Sequence, residues 1–120
     1  MTAIVDTNIW LLTVKDSFAL FNEAKRIIGE DLLITEAIRD ELQALCDDRN
    51  KAACTALKLI QSKGLKVVSS TVQYADDDII RAATANNAAV ITNDADLINT
   101  LHDHQIQVYQ PRQRSYLIKT

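Results

Sequence analysis

Apolar residues in this chain fall into two kinds of pattern, and their alternation predicts the order of its elements. Short apolar-rich runs occur at Thr2 to Val5, Leu32-Leu33-Ile34, Leu65 to Val68, Ala89-Val90-Ile91-Thr92 and Ile106 to Tyr109. Runs of this length, several rich in β-branched residues, read as buried strands. Between them the apolar positions recur at the spacing of one buried helix face. Ile9-Trp10-Leu11-Leu12 follows the first strand, with Thr7 or Asn8 as the expected cap. Phe18, Phe21, Ala24, Ile27 and Ile28 form the next stripe, opened by Asp16-Ser17 and closed at Gly29. Thr35 is placed to cap a helix carrying Ile38, Leu42 and Leu45 on one face, and Asp47-Asp48-Arg49-Asn50 is a polar break. A further helix from about Lys51 to Ser62 buries Ala53, Ala56, Leu57 and Ile60 and stops at Gly64. Asp76-Asp77-Asp78 opens another, where negative charge suits the helix dipole. Asp94 to about Leu101 reads as a short helix, and Tyr116-Leu117-Ile118 as an added edge strand.

Strands alternating with helices predict an α/β fold of three layers, α/β/α, with a mainly parallel central sheet covered on both faces. The 120 residues form one expected domain, 1–120, long enough to bury a core unaided. Only two glycines and one proline occur, which leaves little room for flexible linkers. No apolar run approaches the roughly 20 residues that span a bilayer. The first residues lack the basic and apolar segments of a signal peptide, so a cytoplasmic protein is expected. Cys46 and Cys54 form no CxxC, and His102 and His104 lie far from them in sequence, so two reduced thiols are expected rather than a zinc site. A net charge of −3 argues against a protein that coats nucleic acid along a basic surface, but not against an enzyme meeting RNA through a local basic patch.

The acids change the picture. Asp6 ends the first strand, Glu41 lies in the third helix beside Asp40, Asp76 begins the fifth helix, and Asp94 and Asp96 follow the strand ending in Ile91-Thr92. In open α/β sheets the working crevice lies outside the carboxyl ends of the strands. Carboxylates gathered there repel one another, and burial raises their pKa values. A divalent cation removes both penalties. Oxygen donors without nearby histidine or cysteine favour Mg²⁺ or Mn²⁺, and such ions promote phosphodiester hydrolysis.

Val5-Asp6-Thr7-Asn8, Arg39-Asp40-Glu41-Leu42, Ala75-Asp76-Asp77-Asp78-Ile79 and Thr92-Asn93-Asp94-Ala95-Asp96-Leu97 resemble, in order, the four acidic motifs of PIN-domain ribonucleases. The resemblance spans essentially the whole chain, down to Gln105-Ile106-Gln107-Val108-Tyr109 with Arg112 and Arg114 behind it. It implies a Mg²⁺- or Mn²⁺-dependent endoribonuclease whose catalytic and metal-binding acids are Asp6, Glu41, Asp76 and Asp94. Asp96 would be an additional ligand or a supporting acid. Thr7, Asn8 and Thr92 would orient carboxylates. At the third motif Asp76 is chosen over Asp77, because Ile79 and Ala83 then fall on inward apolar positions. Glu36 and Asp40 are rivals to Glu41, whose place immediately before Leu42 matches the family pattern.

Small members of this family include VapC-type toxins held by an antitoxin protein, and others process ribosomal RNA precursors. The resemblance therefore implies RNA as the substrate, an antitoxin as a possible partner and a homodimer as the expected assembly. Lys15, Arg39, Arg112 and Arg114 are candidate phosphate contacts, and Tyr74 a candidate base-stacking residue. Trp10 and Phe21 are assigned to the core. Asp31, Asp47, Asp48 and Asp103 are assigned to the solvated surface. Two other classes are weighed: a non-catalytic PIN-like module that binds RNA or protein, and a receiver-like signalling domain. The first would show no tight divalent site. The second would need a lysine after a late strand, and Lys119 comes too late.

Overall fold

A computed structural model of the chain describes residues 2–29, 31–70 and 75–120. The elements run β1 (Thr2–Val5), α1 (Thr7–Lys15), α2 (Leu20–Ile27), β2 (Asp31–Thr35), α3 (Glu36–Asp47), α4 (Lys51–Lys63), β3 (Lys66–Val68), α5 (Ala75–Asn86), β4 (Ala89–Ile91), α6 (Ala95–Asp103), β5 (Val108–Arg112) and β6 (Tyr116–Lys119). They build one sheet in the order β3-β2-β1-β4-β5-β6. Neighbours from β3 through β5 are parallel, and β6 runs antiparallel at the edge. Helices α1, α3 and α4 pack on one another, α5 covers β1, β2 and β4, and α6 lies on β5. The fold is thus the α/β arrangement expected from the sequence.

Burial explains the register. β1 is flanked by β2 and β4, pairing Ala3 with Leu32 and Ala89, and Ile4 with Leu33 and Val90. Ala3, Ile4, Val5, Val90 and Ile91 are wholly excluded from solvent. Trp10 joins this core, donating its indole N–H to the Val5 carbonyl at 3.2 Å and packing its ring 6.0 Å from that of half-buried Phe21. The expected cap holds at α3, where the Thr35 side chain accepts from Ile38 N–H, and Asn50, at the end of the polar break, caps α4 by accepting from Ala53 N–H. Gly64 ends α4 in the left-handed region at φ 64°, a conformation costly to residues with a Cβ.

Four expectations need correction. Asp6 itself caps α1, its side chain accepting from Thr7 N–H, in place of Thr7 or Asn8. Asp16-Ser17 does not open α2: Asp16 closes α1 through its N–H to the Leu12 carbonyl, and Ser17 takes a positive φ of 54° where a capping residue is extended. β5 starts at Val108, because the Ile106 N–H closes α6 on the Leu101 carbonyl, and it continues to Arg112 by pairing with β6. Cys46 and Cys54 are joined in a disulfide, the α3–α4 turn having brought their Cα atoms to 4.7 Å. Among the described residues no helix is long and apolar enough to cross a membrane.

The outer edge of β6 is closed by α2. Leu117 pairs with Pro111, and its outward N–H donates to Glu23 Oε1 at 2.8 Å. Arg26 Nη2 donates to the Leu117 carbonyl at 3.2 Å and to Glu23 Oε1 at 2.9 Å, while its Nε reaches Glu23 Oε2 at 3.1 Å. An edge strand with its polar groups satisfied in this way is protected from pairing with another chain. The Arg26 hydrogen bonds hold the Glu23 carboxyl below its usual range, so their stabilising effect is present above about pH 4.5 and lost as pH falls through the folded value. Glu23→Ala is expected to lower stability by about 1–3 kcal/mol in urea denaturation and to speed hydrogen exchange at the Leu117 amide. An unchanged exchange rate there would refute the clasp.

Candidate active site

The strand order places β2 on one side of β1 and β4 on the other, so successive connections diverge at the carboxyl end of β1. This is the switch point at which open α/β sheets form a crevice. Asp6 stands there, half-buried, its N–H bonded to the Ile91 carbonyl at 3.0 Å as a last rung of the β1–β4 ladder. Its Oδ1 accepts from Thr7 N–H at 2.8 Å and its Oδ2 from the Thr92 hydroxyl at 2.8 Å. Thr92, fully buried just beyond β4, accepts in turn from Asp94 N–H at 3.1 Å. Asp94 caps α6 with Oδ1, accepting from Asp96 N–H and Leu97 N–H at 3.0 and 3.2 Å. Across the crevice, the Thr7 hydroxyl donates to Glu41 Oε2 on α3 at 3.0 Å.

Two threonines therefore link Asp6, Glu41 and Asp94, residues 35 to 88 positions apart in the chain. The electrostatics agree with these contacts. Burial pushes the Asp6 carboxyl above its usual value, the hydrogen bonds from Thr92 and Thr7 pull it back, and the charges of Glu41 and Asp94 raise it. Asp76, in the first turn of α5, is also raised, by partial desolvation and then by Asp94, Asp77 and Asp96. Each of the five acids in the sequence-predicted set thus interacts with at least one other at this rim.

Asp76 feels Asp94, Asp77 and Asp96, and Ile79 and Ala83 on the same helix are buried. The rivals to Glu41 are engaged elsewhere. Glu36 Oε1 accepts from Ser70 N–H at 2.8 Å, and exposed Asp40 lies 3.5 Å from Arg39 Nε. Asn8 is exposed and hydrogen-bonds no carboxylate among the described residues, so the orienting role expected of it has no contact to support it. Of the basic candidates, Lys15 and Arg112 are exposed, Arg39 lies between Glu36 and Asp40, and Arg114 is 3.6 Å from Asp16. Tyr74 lies outside the described residues. Asp78, read from the sequence only as part of a helix start, is fully buried and bonded to Ser70 and Arg81. An arginine three residues after an aspartate in a helix was the one available signal for it.

The donor set suits a hard cation. Asp6 and Asp76 have raised proton affinity, from burial first and then from neighbouring acid charges, and both histidines are occupied elsewhere, His102 with the Thr120 hydroxyl and His104 with the Thr100 carbonyl. Among the described residues, no group of three acid, histidine or cysteine side chains is arranged so that it could hold a metal ion.

A family model described as a PIN-like domain matches residues 3–114. Ribonuclease VapC4 of Methanocaldococcus jannaschii is 30% identical over 120 residues, covering 94% of this chain and 92% of the relative. Two solved structures share the fold. The PIN domain endonuclease Utp24 aligns with a TM-score of 0.83 at 19% identity, over 98% of this chain and 90% of that one. VapBC2 from Rickettsia felis, bound to a DNA fragment from its promoter, aligns at 0.71 and 15% identity, over 93% and 100%.

A raised Asp6 pKa has a consequence for stability. The folded chain holds that proton more tightly than the unfolded chain does. Stability therefore falls as pH rises from the model-peptide value of 3.8 through the folded value, and it stays reduced above it. In metal-free buffer at pH 7, Asp6→Asn is expected to melt higher than the parent, by on the order of 3 °C, with the gap closing toward pH 3. Coincident melting curves across that range would show that the cluster is not strained.

Proposed function

The chain belongs to the PIN-like domain family, and from that premise we propose that it is a Mg²⁺- or Mn²⁺-dependent endoribonuclease. The observation that carries the reading is the meeting of Asp6, Glu41, Asp76 and Asp94 at the carboxyl end of the central strands. Asp6, Glu41, Asp76 and Asp94 would hold the cation, with Asp96 as a further ligand or supporting acid. Bound there, the cation would neutralise charge developing on the scissile phosphate and make water a competent nucleophile at neutral pH.

The protein's own contribution is to hold the acids ready. Thr92 and Thr7 fix the rotamers of Asp6 and Glu41, so the carboxylates need little rearrangement when a cation arrives. Asp94 commits Oδ1 to capping α6 and leaves Oδ2 available. Exposed Lys15 and Arg112 are the basic side chains we assign to the RNA backbone.

The match to VapC4 along nearly the full length of both chains, with the likeness to VapBC2, supports an antitoxin as protein partner; a symmetric homodimer and a cytoplasmic setting complete the proposal. In a cytoplasmic setting the Cys46–Cys54 bond would face a reducing thiol pool. The family membership leaves an alternative use of the same chemistry in ribosomal RNA processing. Growth arrest on expression, relieved by co-expression of a small neighbouring gene, would favour the toxin. Normal growth with altered precursor RNA would favour processing.

Purified protein is expected to cut single-stranded or looped RNA with Mg²⁺ or Mn²⁺ and to stop in EDTA. Asp6→Asn, Glu41→Gln and Asp94→Asn are each expected to lower kcat/KM at least about a hundredfold while remaining folded. Mn²⁺ should raise the melting temperature of the parent but not of Asp6→Asn. Unchanged turnover in both Asp6→Asn and Asp94→Asn would mean that the chemistry lies elsewhere.

A further inference from the structure

The two helices that carry Glu41 and Asp76 are joined through one serine. Ser70 follows β3, and its hydroxyl oxygen accepts from Ala37 N–H, in the first turn of α3, at 2.9 Å. The same hydroxyl donates to Asp78 Oδ2, in the first turn of α5, at 2.7 Å. The Ser70 backbone N–H donates to Glu36 Oε1 at 2.8 Å. Arg81, one turn along α5, donates to Asp78 Oδ1 at 3.1 Å and to the Ser69 carbonyl.

Asp78 is entirely buried. A carboxylate in that position is tolerable only with its oxygens satisfied, and both are, one by the serine and one by the arginine. The pairings are complementary, so the network favours one separation of the helices. Glu36 precedes Glu41 by five residues on α3, and Asp78 follows Asp76 by two on α5. A shift of either helix about Ser70 would therefore move a carboxylate at the crevice. Neither Thr7 nor Thr92 reaches Asp76, so the threonine links that hold Asp6, Glu41 and Asp94 leave this fourth acid to be placed by α5.

We infer that Ser70, with Asp78, is a positioning residue that sets the separation of the Glu41 and Asp76 carboxylates and thereby the affinity of the acid cluster for a divalent cation. The inference rests on the nuclease reading above. It assigns a role to a serine and an aspartate that do not themselves face the substrate.

The test is calorimetric titration of Mn²⁺ into the metal-free parent, Ser70→Ala, Ser70→Thr and Asp78→Asn, with melting temperatures in EDTA alongside. Loss of the hydroxyl in Ser70→Ala is expected to weaken Mn²⁺ binding about tenfold or more, the scale seen when groups supporting metal ligands are removed. Ser70→Thr, which keeps a hydroxyl, should bind within about threefold of the parent by the same reasoning. Asp78→Asn should behave as Ser70→Ala does, and if it does not fold, Ser70→Ala decides. A parent that binds no Mn²⁺ overturns the nuclease reading and this inference with it. A parent that binds, beside a Ser70→Ala protein of equal affinity, overturns the positioning role alone, even if that variant melts lower.

Discussion

The parallel pairing of β1 between β2 and β4 is the constraint on which the site depends. Those ladders fix Asp6 at the carboxyl end of a fully buried strand, with its N–H bonded to the last carbonyl of β4. A carboxylate held by its own backbone has no freedom to move away from like charges. The surrounding groups accommodate it: Thr7 N–H and the Thr92 hydroxyl supply hydrogen bonds that favour its ionised form against burial and against Glu41 and Asp94. The sheet thus places the charge, and two threonines make it tolerable.

The same threonines link parts of the chain that are remote in sequence. Thr7 starts α1 and reaches α3, while Thr92 leaves β4 and reaches back to β1 and on to the first residue before α6. The crevice is therefore supported by short polar side chains on the ends of regular elements. Positions of this kind hold a side chain more tightly than mobile loops do.

Much of this was legible in the sequence because burial and charge leave strong local marks. Strands buried on both faces write themselves as runs such as Ala3-Ile4-Val5 and Ala89-Val90-Ile91, with Asp6 directly after the first and Asp94 three residues past the second. What was not legible depends on contacts between distant segments or on single backbone dihedrals. The division of α1 from α2 turns on the positive φ of Ser17, which a polar residue permits but does not announce. The extent of β5 is decided by β6, which is distant from it only by a turn but pairs through Pro111 and Leu117 in a way that apolar spacing does not encode. Cys46 and Cys54 meet because α3 and α4 double back on each other. Ser70 and Asp78 escaped for the same reason, since an exposed-looking serine and one acid in a run of three reveal their bond only when the helices are in place.

An arrangement drawn from Asp6, Glu41, Asp76 and Asp94 spans most of the chain length, and its central strand neighbours, β1 and β4, are separated by every element between them. During synthesis, β1 must wait for β4 before its carboxyl end acquires Thr92 and Asp94. A nascent chain shorter than this has only scattered acids and no crevice. An RNA-cutting protein built in this way would be harmless to the ribosome translating it until its fold closes.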